Sequence, residues 1–228
     1  MNRFSRTERL IGAQKLEALK AKSVLIIGLG GVGGYAFEML VRAGIGRLVI
    51  VDGDVVDITN LNRQILALNG TVGLYKVAVA EQRAKEVNEN AEIIPLNIRY
   101  NADSSAEIFD KGPFDYCVDC FDSVKDKIHF LSECAKRGIK AISACGAGNR
   151  ISPEYRVDNV LKTHSDPLAR VVRKGLKGLD TKNIKAVFDV KEPISPADGE
   201  RTPASISYSP AIMGCMIGAE VIKDLIGD

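Results

Sequence analysis

Two periods of apolar and polar residues run along this chain, and the switches between them outline its elements. Short, largely apolar runs at 23–27, 47–51, 92–96, 114–118 and 139–143 have the length of buried strands. Between them, apolar residues recur every three to four positions. This spacing predicts helices over 7–19, 31–43, 73–88, 103–110 and 123–137. Strands alternating with helices of this length make a mostly parallel sheet covered on both faces, because each crossover lays a helix across the sheet.

The pattern changes after Cys145. The stretch "GAGNRISPEYRVDNV" predicts a turn and a further, antiparallel strand. "SDPLARVVRKGLKGL" opens a helix with Ser165 or Asp166 as cap and Pro167 in the first turn. "KAVFDV" then reads as a strand and "KEPISPADGERTPAS" as a polar, proline-rich loop. The last apolar stretch, "ISYSPAIMGCMIGAEVIKDLI", is broken by Pro210, Glu220 and Lys223. It falls short of the roughly 20 clean apolar residues of a membrane span, so a buried terminal helix is expected and no membrane contact. The fold class is therefore α/β: a doubly wound, mostly parallel sheet, continued by antiparallel strands, with helices on both faces.

Composition narrows the class further. With 228 residues, 46% apolar and 26% charged, the chain can bury one large core, and no repeat divides it. Its 31 basic and 29 acidic side chains leave a formal charge of +2. No overall field marks a nucleic-acid or membrane protein, so any basic surface must be local. The five cysteines lack the dense, paired spacing of a secreted scaffold and the first twenty residues have no apolar run, which reads as a reducing, cytoplasmic setting. Only Cys117 and Cys120 have a Cys-x-x-Cys spacing. Cys134, Cys145 and Cys215 supply no second pair, so no zinc site is expected.

The first strand runs into "GLGGVG". Gly28 makes the tight turn, Gly30 and Gly31 let backbone N–H groups approach phosphate, and Gly33 permits close packing of helix on strand. Asp52 ends the second strand 24 residues after Gly28, where a carboxylate can take a ribose hydroxyl pair, with Asp54 beside it. Such a cradle serves an NAD-dependent oxidoreductase as well as an ATP enzyme. The next segment separates the two. Asn60, Arg63, Gln64 and Lys76 are amide and cationic donors suited to a polyphosphate, and a triphosphate under attack builds charge on its departing pyrophosphate. Asp119 and Asp122 follow the carboxyl end of a strand, where a carboxylate can hold Mg²⁺; Asp122 is equally well placed as a helix N-cap.

These residues resemble the ubiquitin-activating-enzyme-like adenylyltransferases, the group that includes the ThiF and MoeB types. The resemblance rests on "RFSR" (3–6), "GLGGVG" (28–33), "VDGD" (51–54), "NLNRQ" (60–64), "GLYK" (73–76) and "DCFDS" (119–123). It implies adenylation of a carboxylate by MgATP. Asp52 would then bind the ribose, Asn60, Arg63 and Lys76 the phosphates, and Asp122 the Mg²⁺. Arg6 would reach the ATP of a neighbouring subunit, which implies a homodimer; on charge alone Arg6 reads as a solvated cation.

"LKTHSDPLARVVRKGLKGL" and the terminal helix resemble one branch of this group, the tRNA threonylcarbamoyladenosine dehydratases. That branch implies a single adenylation domain over 1–228, with a nucleotide-binding half (1–145) and a substrate-binding and dimerisation half (146–228). Its substrates are ATP and tRNA bearing the modified adenosine near the anticodon. The implied cofactors are ATP and Mg²⁺, with a monovalent cation as a further candidate. Activation of a ubiquitin-like carrier's C-terminus is the competing reading. Arg170, Arg173, Lys174 and Lys177 fall on one helical face and would contact RNA phosphates; the alternative is a solvated basic helix. His129 reads as structural, whereas His164 lies in a loop and could touch RNA. "RTPASISYSP" carries no cysteine, so no thiol-dependent step or sulfur-transfer partner is expected.

Overall fold

The computed structural model describes residues 3–200 and 202–228. Seven strands form one sheet in the order β3-β2-β1-β4-β5-β7-β6. They are β1 (Ser23–Ile27), β2 (Arg47–Val51), β3 (Glu92–Leu96), β4 (Tyr116–Asp119), β5 (Lys140–Ala144), β6 (Tyr155–Asn159) and β7 (Ile184–Asp189). The five predicted early strands are all present and parallel. The expected antiparallel continuation is half met: β7 runs parallel to β5, and only β6 is antiparallel, paired to β7. A connection containing β6 and a helix is long enough to carry β7 back in the parallel sense.

Alternate residues of the buried strands feed two cores. Val24, Ile26, Leu48 and Ile50 join one, packed by α2 (Ala13–Lys20), α3 (Gly33–Ala43), α4 (Lys76–Val87) and α8 (Tyr208–Ile226). Leu25, Ile27, Val49 and Val51 join the other, under α5 (Ser105–Phe109), α6 (Val124–Arg137) and α7 (Pro167–Gly175). Because both faces are covered, the central strands β1 and β2 show no polar alternation and read as continuous apolar runs, whereas the edge strand β6 alternates half-buried and exposed residues.

Several boundaries differ from the periodicity. The single helix over 7–19 is two, α1 (Ser5–Ile11) and α2, because the chain turns at Gly12 with φ 85°. Helix α4 starts at Lys76 rather than 73, since Gly73 turns left-handed and Tyr75 bridges to Val55. Helix α7 stops at Gly175, so Lys177 lies beyond the basic helical face assigned to it. A side chain at Gly175 would lie 2.6 Å from Ile128, which holds the end of α7 close against α6.

The terminal helix α8 packs on α3 through glycine. A Cβ at Gly214 would lie 2.3 Å from the carbonyl of Val32, at the start of α3. Replacing Gly214 by Val is expected to cost about 1–3 kcal/mol by overpacking, measured by urea denaturation. Among the described residues no helix is long and apolar enough to cross a membrane.

Candidate nucleotide site

The carboxyl ends of β1, β2 and β4 meet at the glycine turn. Gly28 has φ 88°, and a Cβ there would lie 2.8 Å from the Cys120 carbonyl carbon. At Gly33 a Cβ would meet the Gly28 carbonyl at 1.8 Å, so the turn closes only with glycine at both positions. Asp52 braces it. One carboxylate oxygen accepts the Leu29 N–H at 2.7 Å and the other the Asp54 N–H at 2.8 Å. Each oxygen keeps a lone pair for a ribose hydroxyl.

Beside Asp52 opens a cleft of about 440 Å³, lined by Gly28, Asp52, Asp54, Arg99, Phe121 and Asp122 among others. The larger cleft, of about 630 Å³, is lined by Arg3, Ile65, Leu68 and Arg83 and includes none of these glycines or carboxylates. Asn60, Arg63, Gln64 and Lys76 do not line the 440 Å³ cleft either. Two of them gather at the glycines: Gln64 Nε2 is 3.9 Å from a Cβ built on Gly30, and Arg63 Cγ is 3.5 Å from one on Gly31.

A single turn delivers Asn60, Arg63 and Gln64, while Lys76 opens α4. Asp57 caps the 3-10 turn Ile58–Asn60 through the Thr59 N–H, and Asn60 is buried with its side-chain oxygen accepting the Asp57 N–H. Arg63 donates to the Thr59 carbonyl at 2.9 Å. Gln64 is buried too, and its Oε1 has no hydrogen-bond partner. A buried orphan acceptor is costly, and a bound group completes it only by bringing a donor, which a phosphate oxygen does not.

Lys76 is tied twice to Asp54. Its backbone N–H donates to the Asp54 carbonyl at 3.0 Å and its ammonium to the carboxylate at 3.1 Å. Arg99 donates to the other Asp54 oxygen at 2.8 Å. Partial burial works against ionisation of Asp54, yet the two cations hold its pKa below the usual carboxylate value.

Asp119 and Asp122 have different fates. Asp119 is fully buried, accepting from Lys127 Nζ and Ser143 Oγ, each at 2.6 Å. Burial pushes its pKa up against those two donors, and it is closed to a metal. Asp122 is exposed on the wall of the cleft, and Ser123, not Asp122, occupies the N-cap position of α6. Mg²⁺ usually takes one or two carboxylates, phosphate oxygens and water, so a single exposed carboxylate on a cleft wall is a ligand of the type it takes. Among the described residues no group of three or more metal-ligating side chains stands together, and all five cysteines are free thiols.

The family model for the ThiF family matches residues 4–228. The chain belongs to the ThiF family. A relative from Bacillus subtilis, a tRNA threonylcarbamoyladenosine dehydratase, is 38% identical over 100% of this chain and 96% of its own. The E. coli tRNA N6-threonylcarbamoyladenosine dehydratase has been solved with AMP and with ATP. The AMP complex superposes with TM-score 0.91 and the ATP complex with 0.90, each at 30% identity over 99% of this chain and 94% of that one.

The remaining expected residues of this ThiF-family chain lie outside the cleft. Arg6 is exposed on α1, next to a Leu10 that is also exposed. Arg170 and Lys174 are exposed on α7, while Arg173 is half-buried and donates to the Thr163 carbonyl. His129 shares a hydrogen bond with Tyr100 at 2.9 Å, a structural place. His164 is exposed, with its ring edge-to-face on Phe188. Two features escaped the sequence reading. Arg99 lines the cleft, and its signal was only its place just past a strand's carboxyl end. Arg150 is buried between Asp166 and Asp189, and no spacing announces that network.

Proposed function

We propose that this chain is an ATP-dependent tRNA threonylcarbamoyladenosine dehydratase. The threonyl carboxylate of the modified adenosine attacks the α-phosphate of ATP, giving an acyl adenylate and pyrophosphate. The carbamoyl nitrogen then attacks the activated carbonyl, closes the ring and releases AMP. The single observation that carries this reading is the 38% identity to the Bacillus dehydratase along the full chain. The nucleophile is already tethered to the group it attacks, so effective concentration supplies much of the ring closure and no acyl-enzyme is needed.

The residues divide by chemistry. Asp52 takes the ribose hydroxyls. Asn60, Arg63, Gln64 and Lys76, with the N–H groups of the glycine turn, hold the phosphates and offset the charge that builds on leaving pyrophosphate. Asp122 would hold Mg²⁺, which supplies further neutralisation of that charge when bound. Asp122→Asn is expected to lower AMP release by about 10²-fold and to raise the Mg²⁺ concentration for half-maximal rate.

Arg6 is the candidate donor to a second copy's site. In support, Leu10, Ile58, Leu61, Leu68, Val72 and Leu74 are exposed, more apolar surface than one chain needs around a polyphosphate segment. Arg170, Lys174 and Lys177 are the candidate RNA phosphate contacts.

The test is AMP formation from MgATP with modified tRNA, unmodified tRNA or a small ubiquitin-like carrier. AMP only with the modified tRNA is the expected result. Dependence on the carrier would replace this reading with the carrier-activating one.

A further inference from the structure

Four carboxylates line the nucleotide cleft: Asp52, Asp54, Asp122 and Asp126. Among the described lining residues Arg99 is the one cation. Its side chain is 79% exposed, yet it is not left to swing in solvent. The stem crosses Gly53 so closely that a Cβ there would lie 2.6 Å from Arg99 Cγ. The guanidinium is then pinned by Asp54, whose second oxygen is fixed by the buried Lys76. Gly53 and Asp54 thus act as a seat and a clasp for one planar cation, immediately next to the ribose carboxylate.

We propose that Arg99 is a nucleoside-binding residue whose guanidinium plane covers the purine of the bound adenine nucleotide. The proposal rests on the nucleotide reading above and adds the contact that reading lacks. Its position decides which part of the nucleotide it meets. Asp52, one residue from Gly53, marks the ribose; Arg63 and Gln64 gather at Gly30 and Gly31, outside the lining of this cleft, and Lys76 meets the opposite oxygen of the Asp54 carboxylate from Arg99. Tyr100 and Phe121 line the same cleft, their rings 5.7 Å apart, so part of its lining is aromatic. A guanidinium is flat, weakly hydrated and stacks plane to plane on aromatic faces, whereas a lysine ammonium meets a ring only as a strongly hydrated point charge. Its ion pair with Asp54 biases it toward this place before the ligand arrives, which lowers the freedom lost on binding.

The test is the pair of dissociation constants for ATP and AMP, measured by calorimetry on the full chain. Arg99→Ala is expected to weaken both by the same factor, about tenfold, because both carry the purine. Arg99→Phe restores both, since it returns a plane without a charge, and Arg99→Lys restores neither. Weakening of ATP alone, restoration by lysine but not phenylalanine, or no change in the alanine variant would each overturn the proposal. Nucleotide binding that follows the expected pattern, in a chain that makes no AMP from modified tRNA, would remove the proposed reaction and leave the Arg99 contact standing. An unaltered chain that binds neither nucleotide overturns both.

Discussion

Lys76→Ala is expected to lower AMP release by about 10²- to 10³-fold while the fold persists. The size follows from burial. The Lys76 side chain is only 6% exposed, so its charge acts through little water, and its position is set at both ends by Asp54. The fold persists because the deletion strands no charge: Asp54 keeps Arg99 as a partner at 2.8 Å. The check is single-turnover AMP formation beside a thermal melt, and AMP release within a few-fold of the unaltered chain would remove Lys76 from the site.

The same pair sets a pH dependence. Asp54 ionises below its ordinary 3.8 in the folded state. Its pairing with Lys76 and Arg99 is therefore in place above 3.8 and lost as the pH falls through the lowered value. Activity at neutral pH does not respond to it.

How much of this was legible in the sequence depends on the distance over which each feature is decided. The early strands and helices were readable because a strand buried on both faces needs a continuous apolar run, and its covering helix a period of three to four. The glycine turn and Asp52 were readable because one βα unit contains the whole arrangement. Helix ends were less so: nothing in the spacing of residues 7–19 shows that Gly12 turns left-handed, and the close approach of Ile128 that requires glycine at 175 comes from another helix. The direction of β7 depends on what lies between it and β5. Asp119 and Asp122 look alike in sequence, three residues apart, and only their partners separate a buried ion pair from a candidate ligand. Arg99 meets Asp54 across 45 residues, beyond the reach of any motif.

Arg150→Met is expected to cost about 3–5 kcal/mol of stability, which for a domain of this size lowers the melting temperature by on the order of 10 °C. Arg150 is 2% exposed and its guanidinium holds two carboxylates, Asp166 and Asp189, each at 2.9 Å and each 1% exposed. It also donates to the carbonyls of Gly146 and Lys191, both at 2.8 Å. Removing it leaves two buried charges with only backbone donors, and that residual charge, rather than the lost contacts, dominates the cost. Asp166 meanwhile caps α7 through the Ala169 N–H. Asn149 and Ser165, the two non-glycine residues with positive φ among those described, adjoin Arg150 and Asp166 in sequence. The network therefore holds the start of the helix that carries Arg170 and Lys174. Adding Asp189→Asn to Arg150→Met removes one stranded charge and is expected to recover part of the loss. A melting temperature within about 2 °C of the unaltered chain in the single variant, where under 1 kcal/mol has been lost, would show that the network is not what holds this half together.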